Sequence, residues 1–182
     1  NLKAIFLLIF PEFKNLERLH RLESIFSHSN FDKETLLALL LIDDSNSHEY
    51  FFHKYNVSNE LRENLNLMAK NFINLQSNKK FFLKDLKKNI YFFGKNHLIA
   101  LNVLHFSDNK KAKLKNYLDI LSAIKKMNIP KFSFDGNYLK EKGMKEGALI
   151  GKTLEIIELE WLDNNFSISN ERVLKIIEAQ NN

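Results

Sequence analysis

Apolar residues recur with a helical period along almost the whole chain. In "NLERLHRLESIF", Leu16, Leu19, Leu22 and Phe26 fall on one face with polar residues between them. "KETLLALLLI" continues as a second helix, with Asp32 placed to cap it. "YFFHKY" is a short amphipathic piece. Ser58 then caps a long helix in which Leu61, Leu65, Met68, Phe72 and Leu75 share a stripe. "FFLKDLKKNIYFFG" and "NHLIALNVLHFS" read as two helices parted at Gly94. "NKKAKLKNYLDILSAIKKM" is the next, with Leu114, Tyr117, Leu121 and Ile124 on its apolar side.

The stretch "NIPKFSFDG" interrupts this pattern. Pro130 turns Ile129 away from helical geometry, and Asp135 is placed to cap a short helix beginning at Gly136. Beyond that helix come a turn at Gly143 and a longer helix from Gly147 with Ile150, Leu154, Ile157 and Trp161 as its core stripe. A last helix is capped by Ser169 and carries Val173, Leu174 and Ile177 as its apolar side. No segment alternates apolar and polar residues at strand length. The pattern predicts an all-α array of about nine helices in two parts: a helical body over 1–128 and a small helical tail over 129–182.

Composition adjusts this picture in three ways. Hydrophobic residues make up 45% of the 182 positions, enough for a packed core, while only 5 Gly and 2 Pro leave too few turns for a sandwich or barrel. There is no Cys, so a disulfide framework, a thiolate metal site and a Cys nucleophile are excluded; this fits a reducing, cytoplasmic setting. The apolar runs, such as "TLLALLLI", are too short to cross a bilayer, and no membrane partner is expected. The start has neither a signal-peptide pattern nor an initiator Met, which predicts a piece of a longer polypeptide.

Candidate chemistry is sparse. No two of the six His have the i, i+4 spacing of a helical zinc site, and Asp43-Asp44 is the only adjacent Asp pair. Neither phosphate-loop pattern occurs, nor a nucleophile elbow. The net charge of +5 permits a polyanionic partner without requiring one.

The informative stretch is "GNYLKEKGMKEGALIGKTLEIIELEW". Lys140, Lys142, Lys145 and Lys152 crowd the start of its longer helix, and Glu155, Glu158 and Glu160 lie towards its end. This opposes the macrodipole, which favours anions at an N-terminus. The arrangement becomes favourable if the free N–H groups near Gly147 and Ala148 receive a phosphate, with Gly147 letting a backbone approach and Gly143, four residues earlier, included in the RNA-binding set. The bland reading stays open: solvated lysines, Gly143 as a helix C-cap, Gly151 for close helix packing. Lys84, Lys87 and Lys88, on adjoining sides of one helix, form a second basic strip.

Residues from Pro130 to Trp161 also resemble a known pattern. Pro130, Phe132, Gly136, Leu139, Gly143, the pair Gly147-Ala148, Gly151 and Trp161 match the C-terminal region of class II tRNA nucleotidyltransferases, the CCA-adding enzymes, and of the related poly(A) polymerases. "RLHRLESIF", "LLALLLID" and "KYNVSNELRENL" look like that family's body helices in the same order, and "IFPEF" like the end of its neck. Two positions depart from it: Ala148 stands where the family has Pro, and Tyr138 where it has an acidic residue.

The resemblance implies a tRNA-binding body and tail that hold tRNA by shape and backbone. The family's catalytic head, with its Gly-Gly-x-x-Arg-Asp motif and metal carboxylates, is absent from this chain. Its partners are therefore expected to be tRNA and the head and neck of the same polypeptide. Mg²⁺, CTP and ATP belong to that head, and no cofactor or catalysis is expected here. A poly(A) polymerase, or a helical protein-interaction module without RNA binding, is the alternative.

Overall fold

The computed structural model describes residues 2–29, 31–145 and 147–181. These residues form ten α-helices and one 3-10 turn, with no strand among them. The chain divides into two compact units, 1–127 and 128–182.

The first unit holds α1 (Leu2–Ile9), α2 (Arg18–Leu22), the 3-10 turn Glu23–Ile25, α3 (Lys33–Leu41), α4 (Ser47–Tyr55), α5 (Asn59–Ser77), α6 (Leu86–Asp108) and α7 (Leu114–Lys126). Helix α6 is its centre and packs against α2, α3, α5 and α7. The backbone leaves helical geometry at Gly94 (φ 78°, ψ 161°), so α6 is two helical segments, 86–93 and 95–108, as the sequence implies. Asp32 and Ser58 cap their helices as expected, accepting from the Thr35 and Leu61 N–H groups at 2.7 and 3.2 Å. Leu65, Met68, Phe72 and Leu75 are buried, each worth roughly 1.5–3 kcal/mol of transfer free energy.

Three expectations for this unit need correction, each for a local reason. Phe26 is 58% exposed; the buried positions around it are Arg18, Leu22 and Ile25. Helix α2 tightens after Leu22 into the 3-10 turn, and three residues per turn carry Ile25 inward and Phe26 outward, where it meets Phe31 edge-on. Residues 79–85 are turns rather than the first coil of α6, because the Asn89 side chain takes the Phe81 carbonyl at 2.9 Å. Lys84 therefore precedes the helix that carries Lys87 and Lys88. Likewise α7 begins only at Leu114, since Arg21 takes the Lys110 and Ala112 carbonyls at 3.0 and 2.8 Å, and Leu114 stays partly exposed.

The second unit holds α8 (Gly136–Glu141), α9 (Ala148–Asp163) and α10 (Asn170–Asn181), with α9 packed on both others. Its core joins Leu139, Met144, Ile150, Ile157, Val173, Ile176 and Ile177, with Phe132, Phe134 and Leu154 against it. Ile176 replaces the expected Leu174, which is partly exposed: the buried face runs i, i+3, i+4 from Val173. Asp135 and Ser169 cap through the Tyr138 and Arg172 N–H groups at 2.9 and 3.2 Å. Beyond the C-cap of α9, Asn164, come two residues with positive φ, Asn165 and Phe166, a backbone that costs a bulky side chain about 1–2 kcal/mol. The Phe166 ring repays part of that by burying edge-on against Trp161, at 4.8 Å between centroids.

Candidate nucleic-acid interface

The turn between α8 and α9 is set by two glycines. Gly143 (φ 90°) follows the α8 C-cap, Lys142. Its N–H donates to the Lys140 carbonyl at 2.9 Å, and the Met144 N–H to the Leu139 carbonyl at 3.0 Å. This is a Schellman closure, and it includes the expected apolar contact, Met144 and Leu139 being buried in one cluster. The helix-cap reading thus accounts for Gly143 without a ligand. Gly147 is different. It is the N-cap of α9 with φ 140° and ψ −172°, has no side-chain cap to offer, and faces open space where a Cβ would stand. Ala148 takes the first helical position, where the resembling family carries Pro.

No acidic residue occupies the first turn of α9, and Ala148, Leu149 and Lys152 there are exposed. The Ile150 N–H already donates to the Gly147 carbonyl at 3.2 Å. Lys140, Lys142 and Lys145 are exposed on the α8 side of the same turn, although the Lys142 ammonium lies over the Tyr138 ring at 5.6 Å. Glu146, within this turn, lies outside the described residues. Gly151 meets nothing within 4 Å either, so close helix packing does not explain it.

The other end of α9 settles part of its charge problem. Glu160 receives two hydrogen bonds from Arg172 of α10, at 2.6 and 2.8 Å. Hydrogen bonding by that guanidinium holds the Glu160 carboxyl below its ordinary pKa and raises that of Arg172. One of the carboxylates at the unfavourable helix end is therefore neutralised from the neighbouring helix.

The second basic strip lies in the first unit. Lys84 is exposed in the turn before α6, and Lys87 and Lys88 are half-buried in its first turn. Of the remaining candidates, Asp43 accepts from the Ser45 N–H at 2.8 Å, from its hydroxyl at 2.5 Å and from Asn15 at 3.3 Å, so it closes a turn. No group of three or more His, Asp and Glu able to hold a metal is found among the described residues. A cleft of about 390 Å³ opens beside Ser29, Asp32, Thr35, Asn96 and Lys125. Asp32 is committed there to its cap and Ser29 to the Tyr117 hydroxyl at 2.6 Å.

Sequence reading missed the buried charges. Arg18 is 5% exposed, donates to the Leu39 and Ile42 carbonyls at the end of α3, and pairs with Asp108 at the end of α6. Glu12 is buried under Lys54, which bonds it at 3.2 and 3.3 Å beneath the rings of Phe10 and Tyr55. Burial pushes the Glu12 pKa up, but hydrogen bonds from Tyr55, the backbone and Lys54 outweigh it and the net is down. The spacing of Arg18 with Leu22 and Ile25 was the available signal, since an Arg in phase with two apolar residues faces the same way they do.

Comparison with protein-family models, with curated proteins and with solved structures finds no match. No helix among the described residues is long and apolar enough to cross a membrane.

Proposed function

We propose that this chain is the tRNA-binding helical region of a nucleotidyltransferase of the CCA-adding type, gripping the RNA by its phosphate backbone while a catalytic head elsewhere in the polypeptide adds nucleotides to the 3′ end. Mg²⁺, CTP and ATP would serve that head. The observation that carries the reading is the start of α9: an uncapped, open glycine turn at the positive end of a 16-residue helix, with exposed lysines on both sides and no acid in the first turn. Backbone N–H groups and the macrodipole suit a phosphate there. Folded RNA is recognised largely through such backbone and shape contacts. The resemblance over Pro130–Trp161 points to the same partner.

Placing an acid in that first turn tests the reading with two readouts of opposite sign. Ala148→Glu complements the dipole, so it is expected to stabilise folding by about 0.3–1 kcal/mol. It also puts a carboxylate where the phosphate would sit, and tRNA affinity should fall about tenfold in fluorescence anisotropy. Equal tRNA affinity in the stabilised variant would refute the phosphate site. A poly(A) polymerase of the same superfamily would use these helices alike.

One observation favours a different class. Leu149, Ile156 and Leu159 are all partly exposed on the outward side of α9, at 39%, 38% and 52%. They form an apolar stripe suited to a protein partner. Absence of tRNA binding at low salt would make that the better account.

A further inference from the structure

The first half of α6 and the turn before it present their inner and outer sides very differently. Phe81 and Phe82 of the turn and Leu86 and Ile90 of the helix are buried and pin the segment in place. Outward, Phe92 is 57% and Leu83 73% exposed, in a stretch where residues 79–88 hold five lysines and a single acid, Asp85. That acid accepts from the Asn78 side chain at 3.1 Å. Lys88 lies four residues before Phe92 on the same helical segment, so the two side chains share a face. The Phe92 ring meets Tyr91 in a T-shaped contact at 5.5 Å and 79° and Phe93 at a tilt at 6.3 Å, neither of them a parallel stack, while more than half of the residue stays exposed.

We infer that Phe92, one helical turn beyond Lys88 and close in sequence to the lysines of 79–88, is a stacking platform for an unpaired RNA base whose flanking phosphates meet that basic stretch; this rests on the RNA-binding reading above and extends it to single-stranded RNA. A base has a π-face for the ring and a phosphate for each ammonium, so one ligand satisfies both features at once. A protein partner suits the site less well, because lysine is depleted from the desolvated centres of protein interfaces. The base must be unpaired, since bases within a duplex keep their faces stacked inside the helix.

The test uses the whole chain with a labelled 12-nucleotide single-stranded RNA and a blunt RNA duplex of equal charge. Phe92→Ala is expected to weaken single-strand binding by about five- to hundredfold and leave duplex binding unchanged. Phe92→Trp should keep single-strand affinity, and its fluorescence should be quenched by the single strand and not by the duplex. Trp161, the other tryptophan in that variant, is buried and serves as a constant background. Unchanged single-strand affinity in Phe92→Ala, or no quenching at saturation, would overturn the inference while leaving the duplex reading intact. Loss of self-association in Phe92→Ala with RNA affinity unchanged would overturn it in favour of a protein-docking face. Failure of the wild-type chain to bind either RNA would overturn both readings together.

Discussion

The three glycines around the start of α9 make separable demands on the backbone. Gly143 at φ 90° and Gly147 at φ 140° occupy conformations that an L-residue adopts only with strain, so alanine at either should destabilise folding by about 1 kcal/mol despite the open space at each. Gly151 sits inside α9 with helical geometry and nothing within 4 Å of a Cβ. Gly151→Ala should therefore stabilise the chain by about 0.5–1 kcal/mol, read from urea midpoints. If Gly151→Ala instead lowered tRNA affinity, close approach of a ligand at that position would be the cause. The four-residue spacing of these glycines was visible in the sequence. That two are conformational and the third is not required the backbone angles.

At the scale of elements, the buried Arg18 ties three helices together. It sits on α2, satisfies two carbonyls at the end of α3 and pairs with Asp108 at the end of α6. Arg18→Ala removes the cation from Asp108 and leaves the Leu39 and Ile42 carbonyls unpartnered, at a cost of about 3 kcal/mol measured by chemical unfolding. Helix starts were legible because a short polar side chain stands before each apolar run, as Asp32, Ser58, Asp135 and Ser169 show. Helix phase was less legible wherever the period changed. The 3-10 turn after Leu22 exchanged Phe26 for Ile25, and arginine donors to the Lys110 and Ala112 carbonyls held back the start of α7. These are tertiary effects, set by residues about ninety positions away in the second case. They leave no mark on local periodicity.

For the molecule as a whole, pH dependence arises from three histidines of the first unit. Burial lowers the pKa of His48, His97 and His105 from the ordinary 6.5, the neighbouring acids Glu49, Asp43 and Asp108 only partly opposing it at His48 and His105. The unfolded chain thus binds more protons than the folded one. Their contribution to stability is present above pH 6.5 and is lost as pH falls through the lowered values. The urea midpoint should drop between pH 7.5 and 5.5, above the range where carboxylates titrate; a flat profile there would contradict the burial of these rings. The all-α architecture was legible from periodicity alone. The candidate site was legible as a charge anomaly, and the structure shows Arg172 relieving its acidic end by binding Glu160. The most direct measurement of the central claim is the salt dependence of tRNA binding by the wild-type chain and by a variant with Lys140, Lys142, Lys145 and Lys152 changed to Gln. The account predicts that log affinity falls linearly with log salt, by about 0.7–0.9 per phosphate contact, and that the variant has a shallower slope. The same slope in both proteins, or no binding by the wild type at low salt, would contradict it.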